Sequence, residues 1–270
     1  MQMCKASIGL YTFVHVIAAN SERNSYMDWE GIFGNLSPAS FFNFSFMGEY
    51  GKYIFQALGY TLLLAVVSVA LAILPALLLA IMRLSKNKLI KGISGAYIAA
   101  FRSTPLLVQL SIIYFGLFGA VRIPNSWQLF GFIPMSRFIP GVVALALNSS
   151  AYVAEIFRGG ILAVDIGQTE AARSLGLNAW SSMKLVVLPQ AIKNVLPALA
   201  NEIVTMVKES SICSTLGMAE LMFAAKTAAG ATYITLAPYT VAAVIYFCIN
   251  YPASKAIEAI ERRMRRGDKR

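Results

Sequence analysis

The sequence predicts an all-α integral membrane protein of five spans, with a cytoplasmic insert between the third and fourth. Hydrophobic residues fill 57% of the 270 positions and charged residues 13%, a balance outside the range of ordinary soluble domains. Several uncharged stretches reach the roughly 20 residues that a helix needs to cross about 30 Å of hydrocarbon. Backbone amides in that setting must be paired within the segment, which selects helices. The basic residues, in net excess by +10, gather in segments bordering those stretches, as in a membrane protein rather than a nucleic-acid binder. Three cysteines form no disulfide framework, and 19 glycines without a strict period exclude a collagen-like chain.

Residues 1–52 read as an extracytoplasmic extension. The apolar run 6–19 is short for a span and is followed by no small-residue cleavage site. Residues 1–26 therefore carry two readings, an atypical targeting stretch or an extension ahead of a start at Met27. Residues 28–51, rich in Phe, Gly, Ser and Asn, suit an interfacial lead-in, where aromatic rings favour the headgroups.

Spans are expected at 53–82, 103–121, 138–154 (continuing past Glu155 and Arg158 to 164) and 227–254. The stretch 191–225 is apolar in outline but carries Glu202, Lys208, Glu209 and Glu220. Charge distribution decides its fate. Residues 83–91 hold four basic residues and no acid, and the tail 255–270 holds seven basic residues. The positive-inside rule places both in the cytoplasm, so an even number of crossings separates them. Only a crossing by 191–225 makes the number even. The N-terminus then lies outside and the C-terminus inside, with residues 53–260 as the membrane unit and 261–270 as a basic tail. Pro75 and Pro105 interrupt the hydrogen-bond ladder of their spans and predict kinks. The pairs Gly116/Gly119 and Gly159/Gly160 permit close helix contact.

The insert, residues 165–190, reads DIGQTEAARSLGLNAWSSMKLVVLPQ and is punctuated as two short helices. Thr169 is placed to cap the first, with Glu170 in its first turn and Gly176 at its C-terminal cap. Asn178 is placed to cap a second helix over 179–187, which Pro189 stops. Glu170, Ala171 and Ala172, then Gly176, nine further residues, Val186, and Leu188 with Pro189, resemble the EAA loop of ABC importer permeases. Three more blocks extend the resemblance to the polar amino-acid permeases: FRSTPLLVQL (101–110), LALNSSAYVAEIFRGGI (145–161) and NEIVTMVKESSICSTLG (201–217).

The resemblance implies a type I ABC importer permease fold with five membrane helices in a bacterial inner membrane. Its EAA segment forms a cytoplasmic coupling helix that docks on a partner ATPase, with Glu170, Ala171, Ala172 and Gly176 as the docking surface. It further implies two ATPase copies that bind ATP and Mg, a second permease subunit, identical or homologous, and an extracytoplasmic amino-acid-binding protein.

Intramembrane polar groups are costly and each is a candidate for the substrate path. Asn148, Tyr152 and Glu155 fall at i, i+4 and i+7 on the third span. Asn201, Glu202, Thr205, Lys208 and Glu209 crowd one face of the fourth. Arg102 and Gln109 share a side of the second. A zwitterionic amino acid needs a cation for its carboxylate and a carboxylate for its ammonium, and these faces supply both signs. The competing reading has Glu155, Arg158, Lys208 and Glu209 pairing as structural bridges.

His15 is the single histidine, so no histidine-based acid/base or zinc centre can be assembled. The chain lacks a Walker phosphate loop and a dinucleotide fingerprint, so it holds no cofactor and is not an ATPase by itself. A lipid-modifying membrane enzyme built on Glu155, or on Glu209 with Lys208, and a passive channel are the alternatives from other classes.

Overall fold

The computed structural model describes residues 43–121, 123–131 and 133–266; the readings made for residues 1–42 lie outside it. Helix α1, Met47–Leu84, has 38 residues and runs about 57 Å, longer than the hydrocarbon core. Its buried stripe passes from Ile54, Ala57 and Tyr60 through Leu64 and Ser68 to Ala72, Ala76 and Ala80, at the three- and four-residue spacing of one helical face. Leu71, Leu74, Leu78 and Ile81 stay exposed on the opposite face, as apolar side chains facing lipid do. The helix continues through Pro75 without a break. The alanines at its far end let α4, Met135–Leu162, approach closely, so that Ala76, Ala151 and Ala154 share one cluster.

Helix α2, Lys88–Ser103, is capped by the Asn87 side chain, whose Oδ1 accepts from Leu89 N at 2.9 Å. Hydropathy does not mark this helix, because it is one-sidedly amphipathic rather than apolar. Thr104 leaves the helical region ahead of Pro105, as a residue before proline must, and the chain bends by 106° into α3, Leu106–Ala120. The kink expected at Pro105 is therefore sharp, and the second crossing is a bent pair. Ser94 Oγ donates to Leu79 O at 2.9 Å and the Tyr97 hydroxyl to Leu147 O at 3.0 Å, tying α2 across α1 and α4. A two-stranded hairpin, β1 (Gln128–Leu129) and β2 (Ile133–Pro134), joins α3 to α4.

Of the paired glycines, only Gly160 makes a close approach. A Cβ there would lie 2.4 Å from Val195 Cγ2 and 3.3 Å from Ala191 O, whereas Gly116, Gly119 and Gly159 face open space. Gly160 thus sets the α4 contact with α6, Ala179–Leu216. Between α4 and α6 lies α5, Ile166–Ser174.

Two boundaries differ from expectation. Pro189 does not stop the second loop helix. Met183–Val187 forms a π-helical stretch that absorbs the missing proline N–H, and the helix runs on into the fourth span. That span then breaks at Gly217, whose φ of 70° is left-handed. Helix α7, Leu221–Thr232, follows, and α8, Leu236–Arg266, begins only after a second left-handed residue, Tyr233 at φ 57°. The junction expected near 226 thus falls at 233–235. Among the described residues, four helices are long and apolar enough to cross a membrane, or five if the bent α2–α3 pair counts as one.

Candidate functional site

At the end of the bundle where α1 finishes, α1, α2 and α4 border an open polar cavity of about 450 Å³ lined by Arg83, Gly95, Ile98, Arg102, Tyr152 and Glu155. Glu155 Oε2 accepts from Arg158 Nη2 at 2.7 Å and from Arg158 Nε at 2.9 Å. Arg83 Nε stands 3.7 Å from Glu155 Oε1, an ion-pair distance too long for a hydrogen bond, and it is buried with no hydrogen-bond partner. The Arg102 guanidinium carbon lies 5.3 Å from the centroid of the Tyr152 ring, within cation–π range. Three of the sequence-chosen residues, Arg102, Tyr152 and Glu155, therefore converge. Arg83 joins them unannounced, because in the sequence it registers only as a topology charge. The bridge reading holds for Glu155 with Arg158, and the structure adds Arg83 to the pair in place of Lys208 and Glu209.

Gln109 and Asn148 meet elsewhere. Gln109 Nε2 donates to Phe101 O at 2.7 Å, Thr104 O at 2.9 Å and Thr104 Oγ1 at 2.8 Å, while its Oε1 accepts from Asn148 Nδ2 at 2.8 Å. Both side chains are buried and their polar atoms close the bend between α2 and α3. From α4 to α6, Ser149 Oγ donates to Glu202 Oε1 at 2.8 Å. Thr205 and Glu209 are half-buried and Asn201 and Lys208 exposed, a polar face that stays open. Near the same end as the cavity, Asn194, Asn201, Ser254, Glu258 and Glu261 line a second hollow of about 330 Å³ between α6 and α8.

The insert folds as a compact knob. Asp165, not Thr169, caps α5: its Oδ1 accepts from Gly167 N at 2.7 Å, and Thr169 becomes an interior residue with Glu170 beyond the first turn. Gly176 has φ 87°, and Gly176 N donates to Arg173 O at 3.0 Å while Leu177 N donates to Ala172 O at 3.2 Å. This pair of bonds is the Schellman ending that favours glycine. Asn178 caps the next helix as expected, through Ser181 N at 2.8 Å. Glu170, Ala171 and Gly176 are exposed, but Ala172 is buried at 4%, facing inward instead of outward. Leu175 and Trp180, exposed at 84% and 72%, stand beside them; the EAA spacing carries no mark of either.

Spans of membrane length, a polar cavity between them and a knob with exposed apolar side chains describe a multi-pass membrane protein. The chain belongs to the family of binding-protein-dependent transport system inner membrane components, whose model matches residues 69–266. It is 40% identical over 216 residues to the arginine transport system permease protein ArtQ of Bacillus subtilis, across 80% of this chain and 94% of that one. It is 40% identical over 204 residues to a putative glutamine transport system permease protein of Rickettsia conorii, across 76% and 89%. Among solved structures, an amino acid ABC transporter with histidines matches at 45% identity and a TM-score of 0.72, over 80% of this chain and 96% of that one. The inward-facing MetNI methionine ABC transporter, at 16% identity and TM-score 0.56 over 77% and 96%, shares the fold. As a member of this family the chain is a non-catalytic ABC importer permease in the inner membrane, working with a separate ATPase subunit and a binding protein. Family membership displaces the enzyme and channel readings.

Proposed function

We propose that this permease carries a polar amino acid through the space bordered by the Arg83, Arg102, Tyr152 and Glu155 cavity. The observation that carries the reading is the pairing of opposite charges on one cavity wall, with a buried Arg83 Nε that has no hydrogen-bond partner. A zwitterion's carboxylate is matched by Arg83 and Arg102, and its ammonium by Glu155, which would exchange part of its Arg158 contact for the cargo. The Thr205, Lys208 and Glu209 face of α6 continues the polar route, whereas Gln109 and Asn148 serve the fold. The named cargo of the relatives, arginine and glutamine, supports the substrate class. Residues 53–260 form the translocation unit, between an outside extension at 1–52 and the basic tail 261–270.

In the assembly we infer, two permease subunits, identical or homologous, sit on two ATPase copies that hold ATP and Mg. Glu170, Ala171 and Gly176 meet the ATPase directly and Ala172 supports them from beneath. The N-terminus lies outside and the C-terminus in the cytoplasm. The test is uptake of labelled amino acids by proteoliposomes containing the permease, its ATPase and its binding protein. Glu155→Gln is expected to lower uptake at least about ten-fold, a loss of about 1.4 kcal/mol in transition-state terms, with wild-type yield of assembled complex. Uptake unchanged, or lost only in step with complex yield, would overturn the role given to the cavity.

A further inference from the structure

The break in the fourth span is built around a carboxylate that neither the cavity nor the docking knob uses. Glu220 is 0% exposed. Its Oε1 accepts from Phe223 N at 2.7 Å, and its Oε2 accepts from Met222 N at 2.8 Å and from the Tyr246 hydroxyl of α8 at 3.1 Å. The adjoining Leu221 N donates to Thr61 Oγ1 of α1 at 2.9 Å. On the near side of the break, the Arg137 guanidinium of α4 donates to Gly217 O. Helix α7 is bounded by left-handed residues at Gly217 and Tyr233, so it is articulated at both ends rather than continuous with either neighbour.

Starting a helix requires only a short cap; Asp, Asn or Ser accepts from the same N–H groups. A carboxylate buried within a membrane bundle is expensive. What the additional methylene of glutamate supplies is reach to Tyr246. We propose that Glu220 is a positioning residue for transport: by joining the N-terminus of α7 to Tyr246, it makes α7 and α8 move as one body when the bundle changes shape. The proposal rests on the chain being a transport permease and is independent of which cavity groups hold the cargo.

The experiment uses the reconstituted transporter with its ATPase and binding protein. Glu220→Asp keeps the cap but falls short of Tyr246, and Tyr246→Phe removes the same bond from the other side. Uptake and binding-protein-stimulated ATP hydrolysis are measured per assembled complex. Each variant is expected to lower the amount of substrate moved per ATP by about five-fold, the scale of one hydrogen bond. The double variant is expected to be no worse than either single one. A wild-type transport-to-hydrolysis ratio in both single variants, additive losses in the double, or losses of both activities in proportion to complex yield would overturn the proposal. If Glu220→Asp does not assemble, Tyr246→Phe decides alone, because the backbone cap survives it. Failure of the underlying transporter reading would look different: no binding-protein-stimulated hydrolysis in the wild-type complex.

Discussion

Gln109 shows how one side chain closes a bend that the backbone cannot. Pro105 has no N–H and Thr104 is extended, so carbonyls at the end of α2 lose their helical partners. The Gln109 amide supplies hydrogens to Phe101 O and Thr104 O and is itself held by Asn148. Gln109→Leu leaves these acceptors and the buried Asn148 amide unpaired and is expected to cost about 1–3 kcal/mol. Thermal unfolding of the detergent-purified protein should show a lowered Tm, with an unchanged KM in the complexes that assemble; an unchanged Tm would reject the structural role. In the sequence, a polar residue inside a span marks a need for a partner without saying whether that partner is cargo or another side chain. Spacing along one helix contains no information about which residue on a different helix will meet it, and so on sequence grounds Gln109 and Asn148 are indistinguishable from path residues.

At the scale of elements, Gly160 governs the α4–α6 contact. Gly160→Leu places a side chain where Val195 and the Ala191 carbonyl already lie and is expected to destabilise by about 1–3 kcal/mol through overpacking. Gly159→Leu, pointing into open space, is expected to be near neutral. Comparing their thermal unfolding midpoints checks this, and equal shifts would refute it. The first and third spans were legible because long apolar runs and small-residue stripes are local properties. Asn178 as a cap and Gly176 as a helix ending were legible for the same reason. Helix α2 was not, since its exposed residues dilute hydropathy below any span threshold. The break at Gly217 was also hidden. A single glycine does not distinguish a left-handed turn from a close contact, and what fixes the turn comes from Thr61 and Tyr246, distant in sequence.

The molecule as a whole presents its exposed knob directly ahead of the helix that becomes the fourth span. Gly176→Asp should leave that knob folded, because the Schellman bonds are made by backbone atoms and aspartate tolerates a left-handed φ better than most residues. It should nevertheless put a bulky charge on the exposed face that we propose meets the ATPase. Mild-detergent affinity purification is expected to recover the ATPase with the wild-type permease and to lose it with this variant, at equal permease yield. Retention of the ATPase would remove Gly176 from the interface. The continuity of Ala179–Leu216 then acquires a mechanical meaning. Val195 meets Gly160 partway along it, about 24 Å from the knob end and about 32 Å from the far end. A rigid rod pivoting there would move its long arm in the opposite sense to its short arm and about a third further.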